Sequence, residues 1–329
     1  MQSIIVTGGA GYIGSHVCKV LAQHGFQPVT YDNLSRGNEK AVQFGPFEKG
    51  DIQDMDRLAE VFEQYKPVGV IHMAALAYVR ESVEDPLAYY ENNVGGSTRL
   101  IAAMVKAHVP AIVFSSTCAT YGVAQQVPIL EDHSTKPINP YGHSKLMVEQ
   151  VLADADATHG LRSTCLRYFN ACGSDPDGQV GEWHDPETHV IPLCMMAARG
   201  EIEHFTLLGD DHETEDGTPV RDYIHVMDLA EAHVLALKRM LEGGESVTLN
   251  LGVGNGISVK QIVEAVEHVS GLPVPVKLLP RHPADPPVLI ASGDSARELL
   301  GFEPQYTDVN EIIAHAWMWR QKAQSVYTS

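Results

Sequence analysis

Short apolar runs alternate along this chain with longer stretches in which apolar residues recur at helical spacing. The runs fall at Ile4–Thr7, Pro28–Tyr31, Phe47–Gly50, Val68–Met73, Ala111–Ser115 and Ser163–Phe169. Strand and helix signals taken in turn predict an α/β fold: a Rossmann-type doubly wound parallel sheet whose ligands sit at the carboxyl ends of the strands. The stretch Glu81–His108 is long enough for one bent helix with Pro86 near its start. Tyr141 to about His159 reads as another helix, opening after Asn139-Pro140. Beyond residue 170 the texture changes, because Gly, Asp, Pro and His crowd Cys172–Thr188 and short helices alternate with scattered strands such as Val247–Leu251 and Val274–Leu279. Residues 1–170 therefore read as the main domain. Residues 171–329 read mainly as a smaller C-terminal α/β lobe, with some segments returning to the first. A last helix from Asp308 to about Lys322 carries Ile312, Ile313, Trp317 and Trp319 for packing. No internal repeat or low-complexity tract is visible.

The first run leads directly into Gly9-Ala10-Gly11-Tyr12-Ile13-Gly14, a G-x-G-x-x-G turn between a strand and a helix. Side chains there would keep the backbone away from a pyrophosphate, and the following helix N-terminus offers N–H groups to that anion. The second strand ends in Asp32, at the ~20-residue offset expected of an acid that holds a ribose 2′-hydroxyl. Asp32 would repel the extra phosphate of NADP, which favours NAD, although Arg36 nearby keeps the choice open.

Composition narrows the picture. A chain of 329 residues, 44% of them hydrophobic, can bury a large core. The 42 acids against 23 Lys and Arg leave a formal charge of −19, which opposes general affinity for nucleic acid or an anionic membrane. Five cysteines, at 18, 118, 165, 172 and 194, form no C-x-x-C pair and suit a reducing cytoplasm. The first strand begins within three residues of Met1, leaving no room for a signal peptide, and no run approaches the ~18 apolar residues of a membrane span. A soluble cytoplasmic protein is expected.

Ser115-Ser116-Thr117 closes the fifth run, and Tyr141-Gly142-His143-Ser144-Lys145 opens the helix that follows. Positions i and i+4 share a helix face, so Tyr141 and Lys145 point together into the cleft. The ammonium, with the positive nicotinamide of an oxidised cofactor, is expected to lower the phenol from its ordinary value of about 10 and make it a general base. Thr117 can hydrogen-bond both the reacting hydroxyl and the tyrosine.

These residues closely resemble the extended short-chain dehydrogenase/reductase superfamily and, within it, the UDP-glucose 4-epimerase family. The likeness runs nearly the whole chain, through Thr7–His16, Tyr31-Asp32-Asn33-Leu34, Ser115-Ser116-Thr117, Asn139-Pro140-Tyr141-Gly142 and Leu166–Asn170. It continues through Asp216-Gly217-Thr218-Pro219-Val220-Arg221-Asp222-Tyr223-Ile224-His225-Val226 and Leu249-Asn250-Leu251-Gly252, the stretches most specific to 4-epimerases. The resemblance implies a retained NAD that accepts hydride from C4 of a UDP-hexose while Tyr141 takes the O4 proton. The 4-keto sugar then turns about its diphosphate link and receives the hydride on its other face. It implies Thr117, Tyr141 and Lys145 as the catalytic set. Cofactor contacts are implied at Gly8, Gly11, Tyr12, Ile13, Gly14, Asp32, Asn33, Asp51, Ile52, Met73, Ala74, Ala75, Asn92, Ser115 and Tyr168, besides Tyr141 and Lys145. The UDP-sugar is expected on Asn170, His189, Val190, Arg221, Tyr223, Arg281, Asp285 and Leu289, besides Thr117 and Tyr141. A homodimer built from helices including Glu81–His108 and Tyr141–His159 is implied as well.

The chain also departs from that family. Alanine in Met73-Ala74-Ala75-Leu76-Ala77 stands where members often carry a lysine. The usual second arginine near the end is His282 in Arg281-His282-Pro283-Ala284-Asp285, so either Arg281 reaches the diphosphate or His282 binds it more weakly and with pH dependence. Leu289, intermediate in size, leaves N-acetylated substrates open, and a UDP-pentose is open as well. Cys118-Ala119 after Thr117 removes the Asp-Glu pair that a nucleotide-sugar dehydratase needs. A net dehydrogenase is disfavoured by the UDP-type motifs, and a non-catalytic sensor would not need Thr117, Tyr141 and Lys145 together. His184 and His189 flank Glu182, Asp185 and Glu187 at a spacing that fits no recognised ligand motif, so a polar substrate loop and no metal are expected.

Overall fold

A computed structural model of the chain describes residues 1–281 and 286–327. The strands, in chain order, are β1 Ser3–Thr7, β2 Gln27–Asp32, β3 Phe47–Lys49, β4 Gly69–His72, β5 Ala111–Ser115, β6 Arg162–Tyr168 and β7 Asn170–Cys172, then β8 Phe205–Leu208, β9 Val220–His225, β10 Val247–Leu251, β11 Gly256–Ser258, β12 Val276–Leu279 and β13 Val288–Leu289. Seven of them form one parallel sheet in the order β10-β6-β5-β4-β1-β2-β3. Every residue of β1, β4 and β5 is buried, as expected where helices cover both faces of a parallel sheet.

The order reverses at β1. The chain runs outward through β2 and β3, then returns to place β4 on the other side of β1. Thr7 pairs in register with both Tyr31 and His72, so the carboxyl ends of these strands open onto a common crevice. On one face the helices Tyr12–Gln23 and Val226–Leu241 pack through Val17, Leu21, Leu229 and Leu237. On the other, Met55–Tyr65, Ser97–Lys106 and Pro140–His159 pack through Leu58, Leu100, Met104 and Leu152. A separate core, with Ile191, Ile262 and Ile313, joins the helices Val190–Ala198, Val259–Ser270 and Val309–Tyr327. A smaller sheet, β11-β9-β13 with β7 beside β9, lies beyond the carboxyl end of β6.

Three expectations change. The stretch expected as one bent helix is Val79–Glu84, then Pro86–Tyr89, a π-helical turn Tyr90–Gly96 and finally Ser97–Lys106. Pro86 lacks an N–H and disfavours helical backbone at Asp85, so the chain restarts there with the Asp85 carboxylate accepting from Ala88 N. Strand Val247–Leu251 belongs to the main sheet against β6, not to the later lobe. The last helix runs on to Tyr327.

Candidate active site

The turn after β1 requires glycine at two of its positions. Gly8 has φ +72, and a Cβ there would fall 2.7 Å from Ala74 N. A Cβ on Gly14 would stand 2.2 Å from the Gly8 carbonyl oxygen. The helix N-terminus at Gly11 carries no side-chain cap and no acid in its first turn, so its N–H groups present positive potential to the crevice. Asp32, 8% exposed, ends β2 with Oδ2 accepting from Ala10 N at 3.0 Å and Oδ1 from Leu34 N at 2.8 Å. Those two bonds fix the carboxylate at the cavity wall and leave it further acceptor capacity. Burial raises its pKa, and the two backbone N–H groups oppose that rise. Glycines that let the turn pack tightly against the β4 loop and the helix start, uncapped N–H groups, and a fixed acid nearby fit the diphosphate and a ribose of a dinucleotide.

Across the crevice, β5 delivers Ser115 and Thr117, and the helix Pro140–His159 delivers Tyr141 and Lys145. Asn139 caps that helix by accepting from Gly142 N, and Pro140 occupies its first turn. A Cβ on Gly142 would sit 2.6 Å from the Ala119 carbonyl, so glycine lets the helix start press against the Thr117 loop. Thr117 Oγ1 accepts from Ala119 N at 3.1 Å, and its side chain lies near enough to the Tyr141 phenol to lower its pKa. Lys145 Nζ donates to the Ser115 carbonyl at 2.8 Å and lies 4.8 Å from the centre of the Phe114 ring and 6.0 Å from that of Tyr141.

The electrostatics correct one expectation. Burial, with Tyr168 second, pushes the Tyr141 phenol above its ordinary value, and the Thr117 side chain only partly offsets this. Burial also lowers Lys145 to about 7, against the pull of Glu149. In the protein without its cofactor, burial dominates both groups: it raises the phenol and lowers the ammonium. Behind them Glu149 and Arg167 form a buried two-point ion pair, at 2.9 and 2.5 Å, and Ser116 Oγ donates to the same carboxylate at 2.5 Å.

Both walls enclose a cavity of about 460 Å³. Gly8, Gly11, Tyr12, Ile13, Gly14, Asp32 and Asn33 line one end, with Ile52, Met73, Ala74, Ala75 and Asn92 beside them. Thr117, Tyr141, Lys145 and Tyr168 form the middle, and Asn170, His189, Val190 and Tyr223 the far side. Asn92 lies in the π-helical turn, where neighbouring Asn93 bonds both backbone groups of Leu76 and Ser144 Oγ. Asn170 and Tyr223 are in register on β7 and β9.

Five of the expected residues are not among those lining this cavity. Asp51 turns aside to accept from Asn33 Nδ2 at 2.8 Å. Ser115 Oγ is buried between Met73 Sδ and His233 Nε2. Arg221 Nη1 donates to the carbonyls of Val220 and Pro287, Arg281 lies exposed beside Asp211, and Leu289 packs with Phe169 and Ala291. Asp285 and His282 lie outside the described residues. Tyr78, Trp183 and Tyr327 also line the cavity, and no local pattern in the sequence marks them. Tyr327 arrives from the far end of the chain.

The Cys172–Thr188 stretch also does more than expected of a polar loop. It gathers Glu182, His184, Glu187 and His189 with their ligating atoms all within 4.8 Å of one another. Burial disfavours charge on both imidazoles, yet Glu182 and Glu187 outweigh it and raise His184 to about 9 and His189 to about 10. Burial is likewise overridden at Glu187, which the two histidines hold well below the usual carboxylate range.

Comparisons agree with this geometry. Residues 4–252 match the model of the NAD dependent epimerase/dehydratase family. The chain is 53% identical over 322 residues to UDP-glucose 4-epimerase of Rhizobium leguminosarum bv. trifolii, covering 98% of each chain. It is 51% identical to the crystallised UDP-glucose 4-epimerase of Brucella ovis in complex with NAD, with a TM-score of 0.95 over 97% of this chain and 98% of that one. The Bifidobacterium longum enzyme in complex with NAD+ and UDP is 34% identical, with a TM-score of 0.92 over 99% and 100%. A match to the family model over residues 4–252 and 53% identity over nearly the whole length of a curated relative place the chain in one lineage: it belongs to the NAD dependent epimerase/dehydratase family.

Proposed function

We propose that this protein is an NAD-dependent isomerase that interconverts UDP-galactose and UDP-glucose by inverting C4 of the hexose, in cytoplasmic galactose and nucleotide-sugar metabolism. One observation carries the reading: the dinucleotide cradle and the Thr117–Tyr141–Lys145 group share one cavity with the nucleotide-side residues Asn170, His189 and Tyr223. When bound, NAD supplies the reversible two-electron acceptor for C4. Tyr141 takes the proton from O4 and returns it, with Thr117 bonded both to the phenol and to the sugar hydroxyl. Lys145, anchored on the Ser115 carbonyl, keeps a cation beside the phenolate that forms. Asn170 and Tyr223, held in register, and the His189-Val190 helix start grip the UDP, so the sugar can turn while its nucleotide stays fixed.

A homodimer is part of this reading. Val83, Leu87 and Met147, at 63%, 76% and 46% exposure, put apolar surface on the neighbouring helices Val79–Glu84, Pro86–Tyr89 and Pro140–His159. Light scattering should give twice the chain mass, and a monomer mass would refute this part.

The test is to incubate purified protein separately with UDP-galactose, UDP-N-acetylgalactosamine and UDP-arabinopyranose, without added NAD, and resolve the products by chromatography. Conversion of UDP-galactose to UDP-glucose supports the proposal, and the relative rates define the sugar range. A need for stoichiometric NAD, with NADH accumulating, would mean a net dehydrogenase and overturn it.

A further inference from the structure

The four polar side chains of the 182–189 loop are arranged as ligands. His184 Nδ1 lies 3.2 Å from Glu182 Oε1 and 3.7 Å from Glu187 Oε2, and His189 Nδ1 lies 3.0 Å from Glu182 Oε1 and 2.9 Å from Glu187 Oε1. Four atoms held ~2.1 Å from a common tetrahedral centre stand ~3.4 Å apart; the separations here, measured to both Glu187 oxygens and including the His189 Nδ1–Glu187 Oε1 hydrogen-bond contact, fall on either side of that value within a cluster spanning at most 4.8 Å.

A second observation points the same way. Glu182 and Glu187 side chains are only 8% and 3% exposed. Yet Glu182 Oε1 and His184 Nδ1, both buried, make no hydrogen bond of acceptable geometry despite their closeness. Two buried polar atoms that converge without an aligned donor leave a place that a bound ion can satisfy. The Glu187 carboxylate is aimed by the Thr188 and His189 N–H groups, which donate to its Oε1 at 2.7 and 2.9 Å. The Glu182 backbone is anchored by Trp319 Nε1, which donates to its carbonyl at 3.0 Å.

We propose that Glu182, His184, Glu187 and His189 bind one divalent transition-metal ion of the zinc class. Two imidazoles and two carboxylates match that ion's borderline character, and two carboxylates neutralise its charge in a buried place. The cluster shares the cavity with Tyr141 but has a structural part, and the ion takes no part in proton transfer. Its role is to clamp the loop that forms the cavity floor, where the His184 ring lies 6.0 Å from Tyr12 and 6.2 Å from Tyr78. His189, 47% exposed on the cavity side, gives the ion its route in and out.

The experiment uses the full chain without a histidine tag. Bound metal is measured by mass spectrometry after gel filtration. The protein is then stripped with a chelator and titrated with Co2+ while the visible spectrum is followed. About one equivalent of bound metal, or intense d–d bands of tetrahedral Co2+ that saturate at one equivalent, supports the site. Both signals should fall at least tenfold in Glu182→Gln and in His184→Gln, each checked by circular dichroism for native fold. Metal-free, cobalt-silent wild-type protein that is folded would overturn the proposal and leave the cluster as a His–Glu ion-pair network. Unchanged cobalt binding in both folded variants would also overturn it. Epimerisation assayed on the same preparations is read separately, so loss of one reading does not carry the other.

Discussion

Lys145 Nζ donates to the Ser115 carbonyl at 2.8 Å, tying the catalytic helix to the last residue of β5. The bond positions a cation inside a wall of apolar and aromatic groups, and burial lowers its pKa to about 7.

That depression sets a pH dependence. The folded value of about 7 lies below the ordinary 10.5, so between them the unfolded chain holds a proton the folded one has lost. Stability contributed by this group therefore rises with pH across that window, by up to ~1 kcal/mol per pH unit. Because the raised His184 and His189 lose stability over the same window, the Lys145 contribution is read as a difference: urea unfolding of the dinucleotide-free protein at pH 7 and pH 9 should give Lys145→Met a pH slope lower than that of wild type. An equal slope in the variant would assign the dependence to other groups.

Tyr141→Phe removes only a hydroxyl from a buried ring. Turnover should fall ~10³-fold while UDP binding, by calorimetry, stays within a few-fold of wild type. Near-normal turnover in the folded variant would exclude Tyr141 as the proton carrier.

Gly14→Ala places a methyl 2.2 Å from the Gly8 carbonyl oxygen, backbone against backbone, where neither side can yield. The variant should emerge from purification without dinucleotide. Heat denaturation followed by an enzymatic NAD assay of the supernatant measures this, and wild-type NAD content would contradict the cradle.

Arg167 and Glu149, 6% and 9% exposed, pair directly behind Thr117. Arg167→Met strands the Glu149 carboxylate and should cost about 3–5 kcal/mol in denaturant unfolding. The double variant Arg167→Met, Glu149→Leu should recover much of that loss, since no lone charge then remains buried. A double variant less stable than the single one would argue against charge stranding as the cause.

Period and punctuation along the chain were enough to place the sheet strands, the glycine turn, Asp32 and the Tyr141–Lys145 face, because each depends on neighbours within a turn or a strand. Strand β1 and the helix start at Tyr12 needed only an apolar run meeting glycine, and Asn139-Pro140 announced the catalytic helix just as locally. The interruption at Asp85-Pro86 was legible in its cause but not in its extent, since the π-helical turn is held by Asn93 bonding Leu76 and Ser144, residues distant in sequence. Tertiary structure alone decided that Val247–Leu251 extends the main sheet and that Tyr327 reaches the cavity. It also decided the charges. Tyr141 and Lys145 share a helix face as their spacing requires, yet their proton affinities follow from burial by β5, β6 and the loops around them, which no spacing along one helix records. The same holds for Glu182, His184, Glu187 and His189: the residues are adjacent in the chain, but only the folded loop turns four side chains toward one point.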